Sequence, residues 1–240
     1  MQSDRAALAA LSSKFKVNMI ISTIKKYSPQ SIHEIVYPNS EVKEMVLAYA
    51  SGKLEAPLLL HGTSGTGKSL IQRLLPNAIE KKLLDLEKVK CSDLKNASDI
   101  HDLYGRNKIF NKNYTINDQK FNYIIIEEFL MTKTAMSDAM KIELDDTLGT
   151  DLTILSTNRL DEVDVGIKSR CEIVHVPPCA PQLFLPHAKK ILDSVSVEYD
   201  DDALFGGLST VYKLSQDNRK YYQWLDRVIR SQEESYNLPL

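Results

Sequence analysis

The segment Gly62-Thr63-Ser64-Gly65-Thr66-Gly67-Lys68-Ser69 holds the clearest chemistry in the chain. Its glycines let the backbone curl tightly, and such a loop turns its N–H groups inward toward an anion. A helix opening at the end of the loop adds unpaired N–H groups and a partial positive charge. Lys68 then supplies a point charge for β- and γ-phosphates, and the Ser69 hydroxyl a ligand for Mg2+. The spacing fits G-x-x-x-x-G-K-[ST], a pattern that needs a strand before it and a helix after it. The apolar run Leu58-Leu59-Leu60 precedes it, and Leu70-Ile71 open a helical pattern. A glycine-rich turn matching by chance would lack both flanks. The candidate ATP-binding set is Gly62, Thr63, Ser64, Gly65, Thr66, Gly67, Lys68, Ser69 and Leu70.

Three further groups could complete a phosphate-transfer site. Ile124-Ile125-Ile126 is a buried strand that delivers Glu127 and Glu128 at its carboxyl end, where α/β sheets open their ligand crevice. Glu127 is placed to hold Mg2+ through water, and Glu128 to polarise an attacking water. Without the phosphate loop, the same pair reads equally well as solvated acids ending a strand. Ser156-Thr157-Asn158 closes another apolar run, and Asn158 could orient water beside Glu128. By itself Thr-Asn is an ordinary strand end. Arg170, in Ser169-Arg170-Cys171, could stabilise charge on a phosphate in transfer. Spacing alone favours a surface arginine in an ion pair.

These groups need a sheet to hold them. Strands are expected at Leu58–Leu60, Val89–Cys91, Tyr123–Ile126, Leu152–Ser156 and Glu172–Val176, with helical patterns between most of them. That alternation predicts an α/β fold: a P-loop core with a five-stranded, mainly parallel sheet. Asn39-Ser40 starts a helix carrying Val42, Met45, Val46 and Tyr49, and Gly52 ends it. Pro76 should kink or shorten the helix after the phosphate loop. Residues 105–120 are polar and weakly patterned, so a surface loop or small hairpin is expected. Pro177, Pro178 and Pro181 mark a linker, and the pattern beyond is helical. The expected domains are an N-terminal helical extension over 1–26, a nucleotide-binding α/β domain over 27–178, and a small all-helical lid over 179–240.

The formal net charge of −2 argues against a wholly basic nucleic-acid binder, so any DNA contact must be a local patch. Lys133, beyond the strand-end acids, is one candidate, although lone lysines are mostly solvated. Cys91, Cys171 and Cys179 form neither a CxxC pair nor an even set, which argues against a disulfide framework or zinc module. The five histidines have no metal spacing, and only His61 adjoins the phosphate loop. Trp224, Tyr221, Leu225 and Val228 share one helical face and read as lid core. No targeting segment or membrane span is evident.

Taken in order, these motifs resemble the AAA+ ATPases, and within them the clamp-loader clade: replication factor C small subunits and their phage counterparts. Lys26-Tyr27-Ser28-Pro29 with Ile35-Val36 is similar to the N-terminal box that lies against adenine, which implies a contact from Val36. Ser169-Arg170-Cys171 matches the clade's trans-acting motif, which implies that Arg170 reaches the next subunit's ATP. Gln216-Asp217-Asn218-Arg219 resembles Gly-Asp-x-Arg, which makes Arg219 the second sensor of the γ-phosphate. The resemblance implies ATP and Mg2+ as cofactors. It also implies self-association or related AAA+ subunits through Arg170, a DNA or replication-protein partner, and a cytoplasmic or nucleoid-associated setting. Glu127 in place of Asp and Gln216 in place of Gly depart from the pattern. The chain also ends soon after the lid, before the collar of such subunits. These departures suggest a phage or mobile-element protein held together by contacts between ATPase domains. A catalytically weak regulatory subunit and a transposition or defence assembly ATPase are the alternatives.

Overall fold

The structure is a computed structural model that describes residues 22–80, 86–111 and 121–236. Five strands form one parallel sheet: β1 (Leu58–His61), β2 (Glu87–Lys90), β3 (Asn122–Glu127), β4 (Asp151–Thr157) and β5 (Glu172–His175). Their spatial order is β2-β3-β4-β1-β5. The apolar strands β1, β3 and β4 take the centre, while the edges carry charge at Glu87, Lys88, Lys90 and Glu172. Charged edges discourage pairing with another chain.

Alternation along the strands divides the core into two layers. Leu58, Leu60, Tyr123, Ile125, Leu152 and Ile154 point to one face, under α2 (Ser40–Ala50) and α3 (Lys68–Ile79). Leu59, Ile124, Ile126 and Leu155 point to the other, under α4 (Ala97–Asn111) and α5 (Thr134–Asp146). Asn39 caps α2, its side chain accepting from the Val42 N–H at 2.9 Å. Beyond α2, Gly52 turns with φ 71°, and the Lys53 N–H returns to the Ala48 carbonyl.

Two expectations change. The stretch from Gly105 to Asn111 is not loop but the second half of α4; residues 112–120 lie outside the described part. Ile100, Leu103 and Tyr104 are buried and anchor the helix, which then runs on through poor helix formers. Helix α3 continues three residues past Pro76 to Ile79. Pro76 forgoes the bond that an N–H there would make to the Gln72 carbonyl, yet its own carbonyl still accepts from the Glu80 N–H at 3.0 Å, and the helix ends one turn after it.

The lid consists of α7 (Pro181–Ser194), α8 (Asp201–Ser215) and α9 (Asn218–Tyr236), after the short α6 (Val165–Lys168) and β5. Phe184, Leu192, Leu204, Leu208, Tyr221 and Leu225 are buried at its centre, with Trp224 packed beside them. Phe184 stacks on Tyr221 at 4.5 Å between ring centres. Of the N-terminal segment, residues 1–21 lie outside the described part. The short α1 (Thr23–Lys26) docks on the lid: the Thr23 N–H and Ser22 hydroxyl donate to the two oxygens of Asp226, at 2.9 and 3.2 Å. That pairing satisfies a buried carboxylate, which would otherwise be costly.

Candidate functional site

A cavity of about 330 Å3 opens where the carboxyl ends of β1, β3 and β4 meet the lid. Ser64 to Ile71 wrap one side, with Glu128, Ser156 and Asn158 at the strand ends. Asn218 and Arg219 come from the start of α9, and Val36, Pro29 and Ile24 close an apolar end.

The phosphate loop keeps its shape for steric reasons. Gly62 has φ 143°, and a Cβ there would run into the Val176 carbonyl. Gly65 has φ 80°, and its Cβ would strike the Asp217 carboxylate. At Gly62 the obstacle is backbone, which cannot give way; at Gly65 the Asp217 side chain would have to move and the positive φ would still be strained. Lys68, only 7% exposed, donates from Nζ to the carbonyls of Gly62 at 2.9 Å and Thr63 at 2.6 Å. Burial, and secondarily the nearby Arg219 charge, lower its pKa to about 8. A buried ammonium facing only neutral carbonyls is poised for an anion.

The strand-end acids diverge. Glu128 is exposed at the cavity with φ 54°, an uncommon conformation for a residue with a side chain. The next residue explains it: the Phe129 N–H crosses to the Ser156 carbonyl at 2.6 Å, which pulls the chain over β4. That crossing sets Glu128 beside Ser156 and Asn158. Glu127 points away to the sheet edge, where its carboxylate lies 3.1 Å from Lys88 Nζ, and it does not line the cavity. Buried Gln72 in α3 donates to the carbonyls of Ile154 at 2.9 Å and Ile126 at 3.4 Å, tying the loop's helix to both strand ends.

The lid touches the loop directly. The Asn218 N–H donates to the Gly65 carbonyl at 3.2 Å, and its side-chain amide to the Thr66 carbonyl at 3.1 Å. Arg219 donates from Nη2 to the Ser64 hydroxyl at 2.9 Å and also bonds the Asp217 carboxylate. Asp217 and Asn218 were named in sequence only as motif neighbours of Arg219. The signal for Asn218 lay in its spacing from Tyr222, i to i+4 on one face of α9, because both line the cavity.

Arg170 does not line this cavity. It is held by Asp145 and the Gly166 carbonyl. His61 stacks on His175 at 4.9 Å and is not among the cavity-lining residues. Lys133 precedes α5 and donates to the Lys95 carbonyl at 2.8 Å.

No family model matches the chain. DNA polymerase III subunit gamma of Buchnera aphidicola subsp. Schizaphis graminum is 23% identical over 198 residues, 75% of this chain and 54% of the relative. Replication factor C small subunit 1 of Pyrobaculum arsenaticum is 25% identical over 205 residues, 82% of this chain and 58% of the relative. The chain thus spans little more than half the length of these relatives. Among solved structures, domain III of the Thermotoga maritima replication initiation protein DnaA superposes with a TM-score of 0.60 at 17% identity, covering 88% of this chain and 91% of that one. The Thermotoga maritima RuvB Holliday junction branch migration motor gives 0.56 at 14% identity, covering 85% and 72%. The fold is that of an AAA+ core. The sequence likeness is to DNA polymerase III gamma and replication factor C small subunits. The cleft between AAA+ core and lid is where the phosphate loop, Glu128, Asn158 and Arg219 converge. Among the described residues, no helix is long and apolar enough to cross a membrane.

Proposed function

We propose that the chain binds ATP with Mg2+ in this cleft and hydrolyses it at the contact between neighbouring subunits, as part of an oligomer working in DNA replication. The observation that carries the reading is the meeting of a phosphate loop, a strand-end carboxylate and a lid arginine around one cavity, with a second arginine held on a separate face.

The residues fit the cofactors. Lys68 is a desolvated cation paired only with carbonyls, and the apolar end at Val36, Pro29 and Ile24 suits a purine ring. Among the described residues no set of three His, Cys, Asp or Glu could hold a metal. Mg2+ suits such a site, because it takes most of its ligands from phosphate and water. When bound, the metal would neutralise charge on the β- and γ-phosphates. Ser69, at the end of the loop, would supply the protein ligand, while Glu127, paired through one oxygen with Lys88, lies off the cavity.

The chain's own steps follow from placement. Lys68 exchanges its carbonyl partners for phosphate oxygens. Glu128 accepts hydrogen bonds from a water at the cavity mouth and orients it, with Asn158 fixing the same water. Arg219 trades Asp217 or Ser64 for the terminal phosphate, which draws the lid onto the loop. Arg170 of an adjacent copy completes the charge balance. The likeness to DNA polymerase III gamma and replication factor C supports replication as the setting, with DNA or a replication protein as partner and Lys133 as a candidate DNA contact.

Equilibrium titration with ATP tests the reading. Lys68→Ala should weaken binding by at least about 10-fold, the value of one charge-assisted contact. Equal affinity in the variant and the wild type would reject the site.

A further inference from the structure

Arg170, partly buried, is held at three of its donors. Its Nε and Nη2 donate to the two oxygens of Asp145, both at 2.8 Å. Its Nη1 donates to the Gly166 carbonyl at 2.7 Å. A guanidinium has five N–H donors, one on Nε and two on each terminal nitrogen. Three are engaged, which leaves one on Nη1 and one on Nη2. Those two nitrogens form the outer end of the fork, whose geometry suits a pair of phosphate oxygens.

Each partner is itself fixed. Asp145 sits in the last turn of α5. Gly166 lies in α6, which Asp164 caps by accepting from the Gly166 and Ile167 N–H groups at 2.7 and 3.3 Å. Lys141 on α5 stands 3.7 Å from Asp164, which links the two helices. The surroundings are unusually apolar for open surface. Val165 is 75% exposed beside Gly166, and Ile142 and Leu148, three residues either side of Asp145, are 51% and 62% exposed.

We propose that Asp145 is the positioning residue for Arg170: it locks the inner edge of the guanidinium so that the outer edge faces the ATP of an adjacent copy. This rests on the trans role of Arg170 given above. A free arginine side chain would have to be ordered at each encounter, and the Asp145 fork supplies that order beforehand. The carboxylate also occupies the edge that would otherwise bind phosphate side-on.

The test is steady-state ATP turnover by the full chain at saturating protein, with Asp145→Ala, Asp145→Glu and Arg170→Ala measured together. Asp145→Ala should lower kcat by at least about 10-fold, toward the Arg170→Ala level, with KM for ATP changed by less than about twofold. Asp145→Glu should recover part of the loss. Mixing separates positioning from folding. Asp145→Ala should regain activity when mixed with Lys68→Ala, which lends an ordered Arg170, and gain none when mixed with Arg170→Ala. If Arg170→Ala is impaired while Asp145→Ala matches the wild type, the proposal fails and the trans role stands. If Asp145→Ala is impaired but Lys68→Ala does not restore it, Asp145 serves folding only and the proposal fails. If Arg170→Ala turns over ATP like the wild type, the trans role fails and the proposal with it.

Discussion

Arg219 in the first turn of α9 donates to the Ser64 hydroxyl at the tip of the phosphate loop, 2.9 Å away, so the lid and the AAA+ core meet at the centre of the site. The same guanidinium is bonded by Asp217, which also lies against Gly65. Asp217 is thus a ready counter-ion for an arginine that would otherwise face buried Lys68. Arg219→Ala should lower turnover by about 10–100-fold, the loss expected for one charged hydrogen bond to the reacting group. Stopped-time phosphate release measures it. An unchanged rate would make Arg219 a structural latch between lid and loop.

Glu128→Gln should retain ATP and lose turnover by about 100-fold, since the amide cannot accept a proton or orient water as a carboxylate does. Single-turnover assays beside equilibrium binding separate the two effects. Glu127→Gln should cost less, because Glu127 pairs with Lys88 and does not line the cavity. A larger loss from Glu127→Gln than from Glu128→Gln would reverse the assignment of the two acids.

Lys68 gives the site a pH dependence. Its pKa in the free protein is lowered to about 8, first by burial and then by Arg219. Phosphate raises it again, because an opposite charge favours the ammonium. Binding near pH 8 should therefore take up about half a proton, and affinity should fall as pH rises from 8 to 9. The sign for folding agrees. A lysine with a depressed folded-state pKa binds fewer protons folded than unfolded, so the free protein gains stability between about pH 8 and its ordinary lysine value. Calorimetry in buffers of different ionisation enthalpy reads the uptake directly; no uptake at pH 8 would mean that Lys68 is fully charged before ATP arrives.

Gln216 caps α8 with φ 49° and ψ 27°, the left-handed region that favours glycine. A residue with a Cβ loses roughly 1–2 kcal/mol there, and glycine returns part of that gain through its freer unfolded chain. Gln216→Gly should stabilise the protein by about 0.5–1 kcal/mol, read as a higher urea midpoint at constant slope. A lower midpoint would show that the Gln216 side chain makes contacts worth more than the strain.

Much of this architecture was legible in the residues. The three central strands are apolar runs, and the phosphate loop sits between one of them and a helix, so their existence as buried strands followed from pattern, while their order in the sheet did not. The edges were less clear: β2 begins at Glu87, ahead of the expected Val89, because a charged edge strand has no apolar signature. Residues 105–111 misled because a helix anchored upstream by Ile100 and Tyr104 can continue through glycine and asparagine. Contacts between distant segments left no local trace. Asp226 pairs with Thr23 across most of the chain, Cys179 donates to Asn218, and Asp145 holds Arg170. In each, one partner is an ordinary polar residue whose role exists only once the fold brings the other to it.

Specific ATPase activity measured over a range of protein concentrations tests the central claim most directly. A site completed by Arg170 of a neighbouring copy predicts activity per chain that climbs with concentration and reaches a plateau as subunits meet. The dilute chain should fall below that plateau by up to about 10³–10⁵-fold, the range an arginine supplied from outside the site contributes to phosphoryl transfer. Activity per chain that stays constant from the most dilute to the most concentrated sample would contradict the account, and would place the whole catalytic apparatus within one subunit.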